Sequence, residues 1–112
     1  MERAEFERHV RNALDLLPPQ LASALENVAV VIEDENPEEP DLFGLYEGIP
    51  LTERGSGDFG QLPDRIAIYR RPLEEEFQDP AELREEIRIT VLHELAHYFG
   101  FDEGRIAELG YD

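Results

Sequence analysis

The stretch TVLHELAHYFG, residues 90–100, carries two histidines four positions apart and a glutamate directly after the first of them. Upstream, Asp79-Pro80 is typical of the start of a helix, and we predict one helix from there to about Phe99. On such a helix His93 and His97 share one face, roughly 6 Å apart, so that both imidazoles can bind one metal ion. This stretch therefore predicts a domain organised around a long metal-binding helix.

The residue after the first histidine indicates which chemistry the metal supports. Glu94 is rotated by about 100° from His93 around the helix axis, which makes it a poor third ligand but a good partner for a water molecule on the metal. Zinc suits two imidazoles, and a catalytic zinc ion has three protein ligands and a water molecule whose pKa falls to about 7. Glu94 can accept a proton from that water and pass it to a leaving amine. The pattern predicts a zinc-dependent peptidase with one Zn²⁺ and Glu94 as its general base.

A third metal ligand is expected shortly after the helix. Gly100 suits a helix C-terminus, where a residue with positive φ reverses the chain and brings the next residues back towards the histidines. We rank Glu103 first as the third ligand and Asp102 second. The only other histidine, His9, lies far away in the sequence and is expected at the surface, and Glu108 is a remote candidate.

Apolar spacing predicts an α+β domain, because the strands follow one another too closely for regular crossover helices. We expect a small mixed sheet of about three to four strands, an N-terminal helix, the long active-site helix and a short C-terminal helix, all in a single domain over residues 1–112. Pro72 is expected to break the chain before the long helix. The predicted strands are Val28–Ile32, Leu42–Tyr46 and Ile66–Tyr69, and the predicted helices cover 2–17, Leu21 to Leu25, Pro80 to Phe99 and Gly104 to Leu109.

Composition excludes several classes of protein. The chain has 112 residues, no cysteine, no lysine, ten arginines and 27 acidic residues, which give a net charge of -17. Without cysteine there is neither a disulfide framework nor a thiolate zinc site. So acidic a surface repels phosphate backbones and anionic lipids, and we expect no nucleic-acid or membrane partner. The first residues lack the apolar region of a signal peptide, which predicts a cytoplasmic protein; the oligomeric state is left open.

The acidic residues are concentrated in the middle of the chain. Residues 33–64 hold ten acidic residues and one arginine. We expect this charge to keep a loop-rich segment solvated, and the alternative is an acidic cleft that attracts cationic peptides. Residues 55–60 formally match the GxGxxG fingerprint of dinucleotide-binding loops, but no strand–helix context surrounds them and we expect no nucleotide there. The alternative function is a non-catalytic, metal-stabilised module that binds partners through its acidic surface.

Beyond these patterns, the chain resembles the small bacterial zincin-like metallopeptidase family. The resemblance implies a minimal zincin fold, peptide or protein substrates, His93 and His97 as zinc ligands and Glu94 as the catalytic base. The family usually carries an acid, often Asp, at the position of Glu103. The matching stretches are LFGLYEGIPLTER at 42–54, IAIYRRPLE at 66–74 and TVLHELAHYFG at 90–100.

Two further features of zincins have candidates in this sequence. An edge strand aligns the extended substrate by backbone pairing, and either Leu42–Tyr46 or Ile66–Tyr69 can supply it. A tyrosine or histidine can stabilise the oxyanion. The candidates for that role are Tyr46, Tyr69, Tyr98 and Tyr111.

Overall fold

A computed structural model describes residues 1–23, 25, 28–48 and 64–111. It confirms an α+β fold with a small mixed sheet, an N-terminal helix and a long helix near the C-terminus. The glycine-rich segment 55–60 lies outside the described residues. In chain order the elements are α1 (Arg3–Asp15), α2 (Pro19–Ser23), β1 (Val28–Glu33), β2 (Gly44–Glu47), β3 (Asp64–Tyr69), α3 (Arg70–Glu76), α4 (Pro80–Tyr98) and α5 (Glu103–Glu108).

The last strand in the sequence, β3, occupies the centre of the sheet. The strand order is β1-β3-β2, with β1 parallel and β2 antiparallel to β3. The register pairs Val30 with Ile66 on one side of β3 and Tyr46 with Ile66 on the other. The prediction that Ile66–Tyr69 could be an edge strand is therefore wrong, because both of its edges are already paired. In the described part of the chain the exposed edge nearest α4 belongs to β2.

Helix α3 was not predicted, because Pro72 was expected to break the chain. Pro72 occupies the third position of this helix, after Arg70 and Arg71. The first turn of a helix leaves its N–H groups without intrahelical partners, so a proline there costs no hydrogen bond. Pro72 is buried and Leu73 beside it is fully buried, which ties this short helix to the core.

The core lies between the sheet and the helices α1 and α4. Strand β3 is buried at almost every position: β1 and β2 pair with its two edges, and its Ile66 and Ile68 belong to the core. Helix α4 begins as predicted, since the Asp79 side chain accepts a hydrogen bond from the Glu82 N–H at 3.0 Å. The buried apolar cluster consists of Phe6, Val10, Ala13, Ile66, Ile68, Leu73, Leu83, Ile87, Val91 and Leu95.

Candidate metal centre

A glycine turn at the end of α4 brings the chain back towards the histidines. Gly100 has φ 92°, which is the positive φ predicted for it. Its N–H donates to the His97 carbonyl at 3.0 Å, and the Phe101 N–H donates to the Ala96 carbonyl at 3.0 Å. These two hydrogen bonds form a Schellman motif, which satisfies the last carbonyls of α4 and reverses the chain direction.

The turn leads directly into α5, which carries one of the two predicted acidic ligands. Asp102 is the N-cap of this helix, and its Oδ1 accepts a hydrogen bond from the Arg105 N–H at 2.8 Å. Ile106 is fully buried and anchors α5 to the core. Glu103 is the first residue of the helix, and its carboxylate extends towards the histidines of α4. The sequence left Asp102 and Glu103 as alternative third ligands. In the structure the Asp102 carboxylate caps α5, whereas the Glu103 carboxylate faces the histidines.

Three side chains converge above α4. Glu103 Oε1 lies 2.8 Å from His97 Nε2 and 3.6 Å from His93 Nε2. One ligand atom from each of the three residues lies within 4.8 Å of the others. The two imidazole rings have centroids 5.0 Å apart. The group consists of the two histidines and the acid predicted first as the third ligand, and Asp102 does not belong to it.

The donor set fits zinc in chemistry and in spacing. Tetrahedral zinc binds nitrogen and oxygen ligands at about 2.0–2.2 Å, which separates the ligand atoms by about 3.3–3.6 Å. The distance from Glu103 to His93 already equals 3.6 Å, and the 2.8 Å distance to His97 must open slightly. Glu103 can rotate to open it, because its side chain is 68% exposed. Two imidazoles and a carboxylate are a ligand set found in catalytic zinc sites.

Glu94 lies beside this group and under strand β2. It is 7% exposed, and the backbone N–H of Tyr46 donates a hydrogen bond to its carboxylate. Burial raises the pKa of the Glu94 carboxyl above its ordinary value, while the neighbouring His93 and His97 and the Tyr46 N–H act in the opposite direction. Glu94 is thus a more basic carboxylate than an exposed one, held in one orientation by a backbone donor.

The close approach of β2 to α4 depends on a residue without a side chain. A Cβ on Gly44 would lie 2.9 Å from Thr90 Cγ2, 3.1 Å from Glu94 Cγ and 3.2 Å from the Ala67 carbonyl oxygen. A glycine inside a strand often marks such a close approach. Gly44, an isolated glycine inside the predicted strand Leu42–Tyr46, is therefore the residue that lets this strand reach Glu94.

Comparison with protein families identifies the family of this chain. The model of the family described as zincin-like metallopeptidase matches residues 25–111, which is most of the chain. The chain belongs to the zincin-like metallopeptidase family. No curated protein matches the chain. Membership implies zinc as the metal and peptides or proteins as the class of substrate.

A cleft of about 190 Å³ lies against the face of α4 that carries His93 and Glu94. The residues that lead into β2 bound it on one side, and α4 and the C-terminal turn bound it on the other. A larger apolar cavity of about 350 Å³ lies on the opposite flank of α4 and contains none of the metal-centre side chains. The residues that line the smaller cleft are Leu42, Phe43, Gly44, Ile89, Thr90, His93, Glu94 and Tyr111.

The remaining candidates from the sequence lie away from the zincin-like site. His9, on α1, has its Nε2 3.9 Å from Glu5, and Glu108 pairs with Arg105 at 3.0 Å. Neither belongs to the group of possible metal ligands among the described residues. As a separate finding, no helix in the described part of the chain is long and apolar enough to cross a membrane.

The four tyrosines occupy different environments. The hydroxyl of Tyr46 donates to Asp64 at 2.7 Å, and the hydroxyl of Tyr69 accepts from Asn36 at 2.9 Å. Tyr98 is buried, and its ring packs against the ring of Tyr46. Of the four, Tyr111 is the one that lines the cleft.

Two backbone groups contribute to the site and were missed by reasoning from the sequence. The carbonyl oxygen of Tyr111 lies 2.7 Å from His93 Nδ1, and the N–H of Tyr46 holds Glu94. Every residue other than proline offers the same backbone groups, so residue type carries no signal for either contact. Gly44 could have been found, because an isolated glycine in a strand pattern signals close packing.

Proposed function

We propose that the protein is a zinc-dependent peptidase in which His93, His97 and Glu103 bind one zinc ion and Glu94 is the general base. The convergence of the three donors, with a buried carboxylate beside them, is the observation that carries the proposal. Family membership supports it at the level of the reaction class. The organisation of residues 1–112 as one domain and the cytoplasmic location remain predictions from the sequence.

The chain's own residues would divide the work of hydrolysis. His93, His97 and Glu103 would hold the zinc ion, which would supply a Lewis acid for the substrate carbonyl and lower the pKa of a water molecule to about 7. Glu94 accepts the proton of the attacking water and delivers it to the leaving amine. Its contact with Tyr46 keeps the carboxylate from rotating out of the cleft.

The edge of β2 is the surface on which an extended peptide would bind. The Tyr69 N–H donates to the Phe43 carbonyl at 2.8 Å. Since backbone directions alternate in an antiparallel ladder, the backbone groups of Gly44 and Tyr46 point away from β3. Tyr46 uses its N–H on Glu94, which leaves Gly44 in position to pair with a substrate backbone next to the catalytic carboxylate.

Cleavage and metal binding must be measured together to test the proposal. The purified chain is loaded with Zn²⁺ and assayed on a broad library of fluorogenic peptides. Glu94→Gln removes the base while keeping shape and hydrogen bonds, and Glu82→Gln, at an exposed position on the same helix, is the matched control. We expect Glu94→Gln to lower kcat by about 10²–10⁴-fold with zinc affinity nearly unchanged, and Glu82→Gln to match the wild type.

The possible failures of this experiment point to different functions. If the wild type binds zinc but cleaves no peptide, the peptidase proposal fails and a metal-stabilised binding module is favoured. Activity on non-peptide amides alone would instead indicate a hydrolase with another class of substrate. A wild type that binds no zinc would overturn both the metal centre and the peptidase.

A pair of substitutions tests which acidic residue is the third zinc ligand. Glu103→Ala removes the carboxylate that faces the histidines, whereas Asp102→Asn removes the neighbouring carboxylate but keeps a good N-cap. We expect Glu103→Ala to weaken zinc binding by more than about 100-fold, because outer-shell partners alone are worth about 10–100-fold. Asp102→Asn should stay within a few-fold of the wild type. The reverse order would make Asp102 the ligand.

A further inference from the structure

The backbone carbonyl of Tyr111 decides which nitrogen of His93 is free to bind a metal. This oxygen lies 2.7 Å from His93 Nδ1, and a carbonyl oxygen can only accept a hydrogen bond. Nδ1 must therefore carry the hydrogen. In a neutral imidazole the other nitrogen then has a free lone pair, and His93 Nε2 is the atom that faces Glu103 Oε1 at 3.6 Å.

The turn after α5 holds this carbonyl in place. Gly110 has φ 84°, its N–H donates to the Ala107 carbonyl at 3.0 Å, and the Tyr111 N–H donates to the Ile106 carbonyl at 3.2 Å. This is a second Schellman motif, which repeats at the end of α5 the geometry that ends α4. Because Ile106 is fully buried, its hydrogen bond to the Tyr111 N–H ties the turn to the core of the domain. Helix α5 thus begins with Glu103, and the turn that follows it carries the carbonyl that orients His93.

We infer that the turn Gly110–Tyr111 is a positioning element of the metal centre, in which a main-chain carbonyl fixes the tautomer and ring direction of His93 and thereby raises its affinity for zinc. This inference rests on the proposed zinc site. It assigns Tyr111 a role through its backbone and none through its hydroxyl. Helix α5 and the turn after it therefore act on two of the three ligands: they supply Glu103 directly and orient His93 through the Tyr111 carbonyl.

Zinc affinity measured by competition with a chromophoric chelator tests the inference without reference to activity. A chain that ends after Gly110 lacks the carbonyl of Tyr111, whereas Tyr111→Phe keeps it and removes only the hydroxyl. We expect the shortened chain to bind zinc about 10–100-fold more weakly, as is typical when an outer-shell partner of a ligating histidine is lost. Tyr111→Phe should stay within about threefold of the wild type, since the phenol makes no part of the contact.

A pair of glycine variants perturbs the same contact within the full-length chain. Gly110→Ala places a side chain on a residue with φ 84° where a Cβ meets no atom within 4 Å, so its effect comes from backbone strain alone. Gly104→Ala is the matched control, because its Cβ meets only Asp102 Oδ1, at 3.5 Å. We expect weaker zinc binding in Gly110→Ala than in Gly104→Ala.

The tautomer can be observed directly in the wild type. Nitrogen-15 NMR of the zinc-free protein near pH 8, where an ordinary imidazole is neutral, should show His93 with its hydrogen on Nδ1. His97 is the internal comparison, because its Nε2 lies 2.8 Å from a carboxylate oxygen and should carry the hydrogen. The spectrum of Gly110→Ala should show a loss of the single tautomer at His93.

The outcomes separate this inference from the proposed function. If the wild type binds no zinc, the proposed zinc site fails. If the wild type binds zinc and the shortened chain binds it equally well, the inference alone is overturned. Should the shortened chain not fold, as judged by circular dichroism, the NMR experiment decides, and the Nε2–H tautomer of His93 in the wild type would overturn the inference.

Discussion

Replacing Gly44 with alanine should separate β2 from α4. The new methyl group would lie 2.9 Å from Thr90 Cγ2 and 3.2 Å from the Ala67 carbonyl oxygen. Neither neighbour can move easily. The Thr90 hydroxyl donates to the Glu86 carbonyl at 2.8 Å, which holds its methyl group in place, and Ala67 belongs to the central strand.

Two opposing effects determine how much Gly44→Ala changes the free energy of unfolding. One extra methyl group in a well-packed region costs about 1–3 kcal/mol. Replacing glycine by alanine restricts the unfolded chain and returns about 0.4–1 kcal/mol, because the φ of Gly44 is not positive and alanine can adopt it. We therefore expect Gly44→Ala to lower the free energy of unfolding by about 1–2 kcal/mol. The shift of β2 should also lengthen the contact from the Tyr46 N–H to Glu94 and reduce kcat.

A double variant identifies the contact responsible for this loss. Thr90→Ser removes the methyl group nearest to the new side chain and keeps the hydroxyl; by itself it should cost about 0.5–1.5 kcal/mol. In Gly44→Ala combined with Thr90→Ser, the added methyl occupies the space that Thr90 vacated. We expect the double variant to be more stable than the sum of the single losses predicts, by about 1 kcal/mol.

Urea denaturation of the four proteins, followed by circular dichroism, gives these free energies from the midpoints when the slopes agree. Gly104→Ala, at an exposed glycine whose Cβ would make only an ordinary contact at 3.5 Å, is the control for the substitution itself. Strictly additive losses, or a stability of Gly44→Ala equal to that of the wild type, would refute the argument that close packing at Gly44 positions Glu94.

Three further changes test other parts of the structure. Ile87→Ala, at a fully buried core position, should destabilise the fold by about 2–5 kcal/mol in urea denaturation, and a loss under 1 kcal/mol would contradict the packing described. Asp79→Ala removes the N-cap of α4 and should cost about 0.5–2 kcal/mol, whereas Asp79→Asn, which keeps a capping oxygen, should cost little. Leu16→Ser, at a side chain that is 72% exposed, should change the unfolding free energy by less than about 0.5 kcal/mol, and a larger loss would show that this leucine is covered in solution.

Local features of the sequence were sufficient to predict the central helix and its ends. Asp79 and Pro80 mark its beginning, and Gly100 has the positive φ expected at its end. These signals act within one turn of helix, so they do not depend on the rest of the fold. The spacing of His93 and His97 likewise places both on one face of any helix that forms there.

Other features could be decided only by the tertiary structure. The central position of β3 depends on contacts between strands that are far apart in the sequence, and hydrophobic patterns do not encode strand order. Helix α3 was missed because a proline inside the first turn and a proline that ends a helix look alike without the neighbouring hydrogen bonds.

The metal centre shows the same division. The sequence by itself determined that two imidazoles and a glutamate share one helix, and it narrowed the third donor to two adjacent acids. Only the folded chain decides that Asp102 caps α5 while Glu103 faces the histidines, because this depends on where α5 lies against α4. The same holds for the contact between the Tyr111 carbonyl and His93: it joins a main-chain group common to all residues to a side chain 18 positions away, and only packing brings the two together.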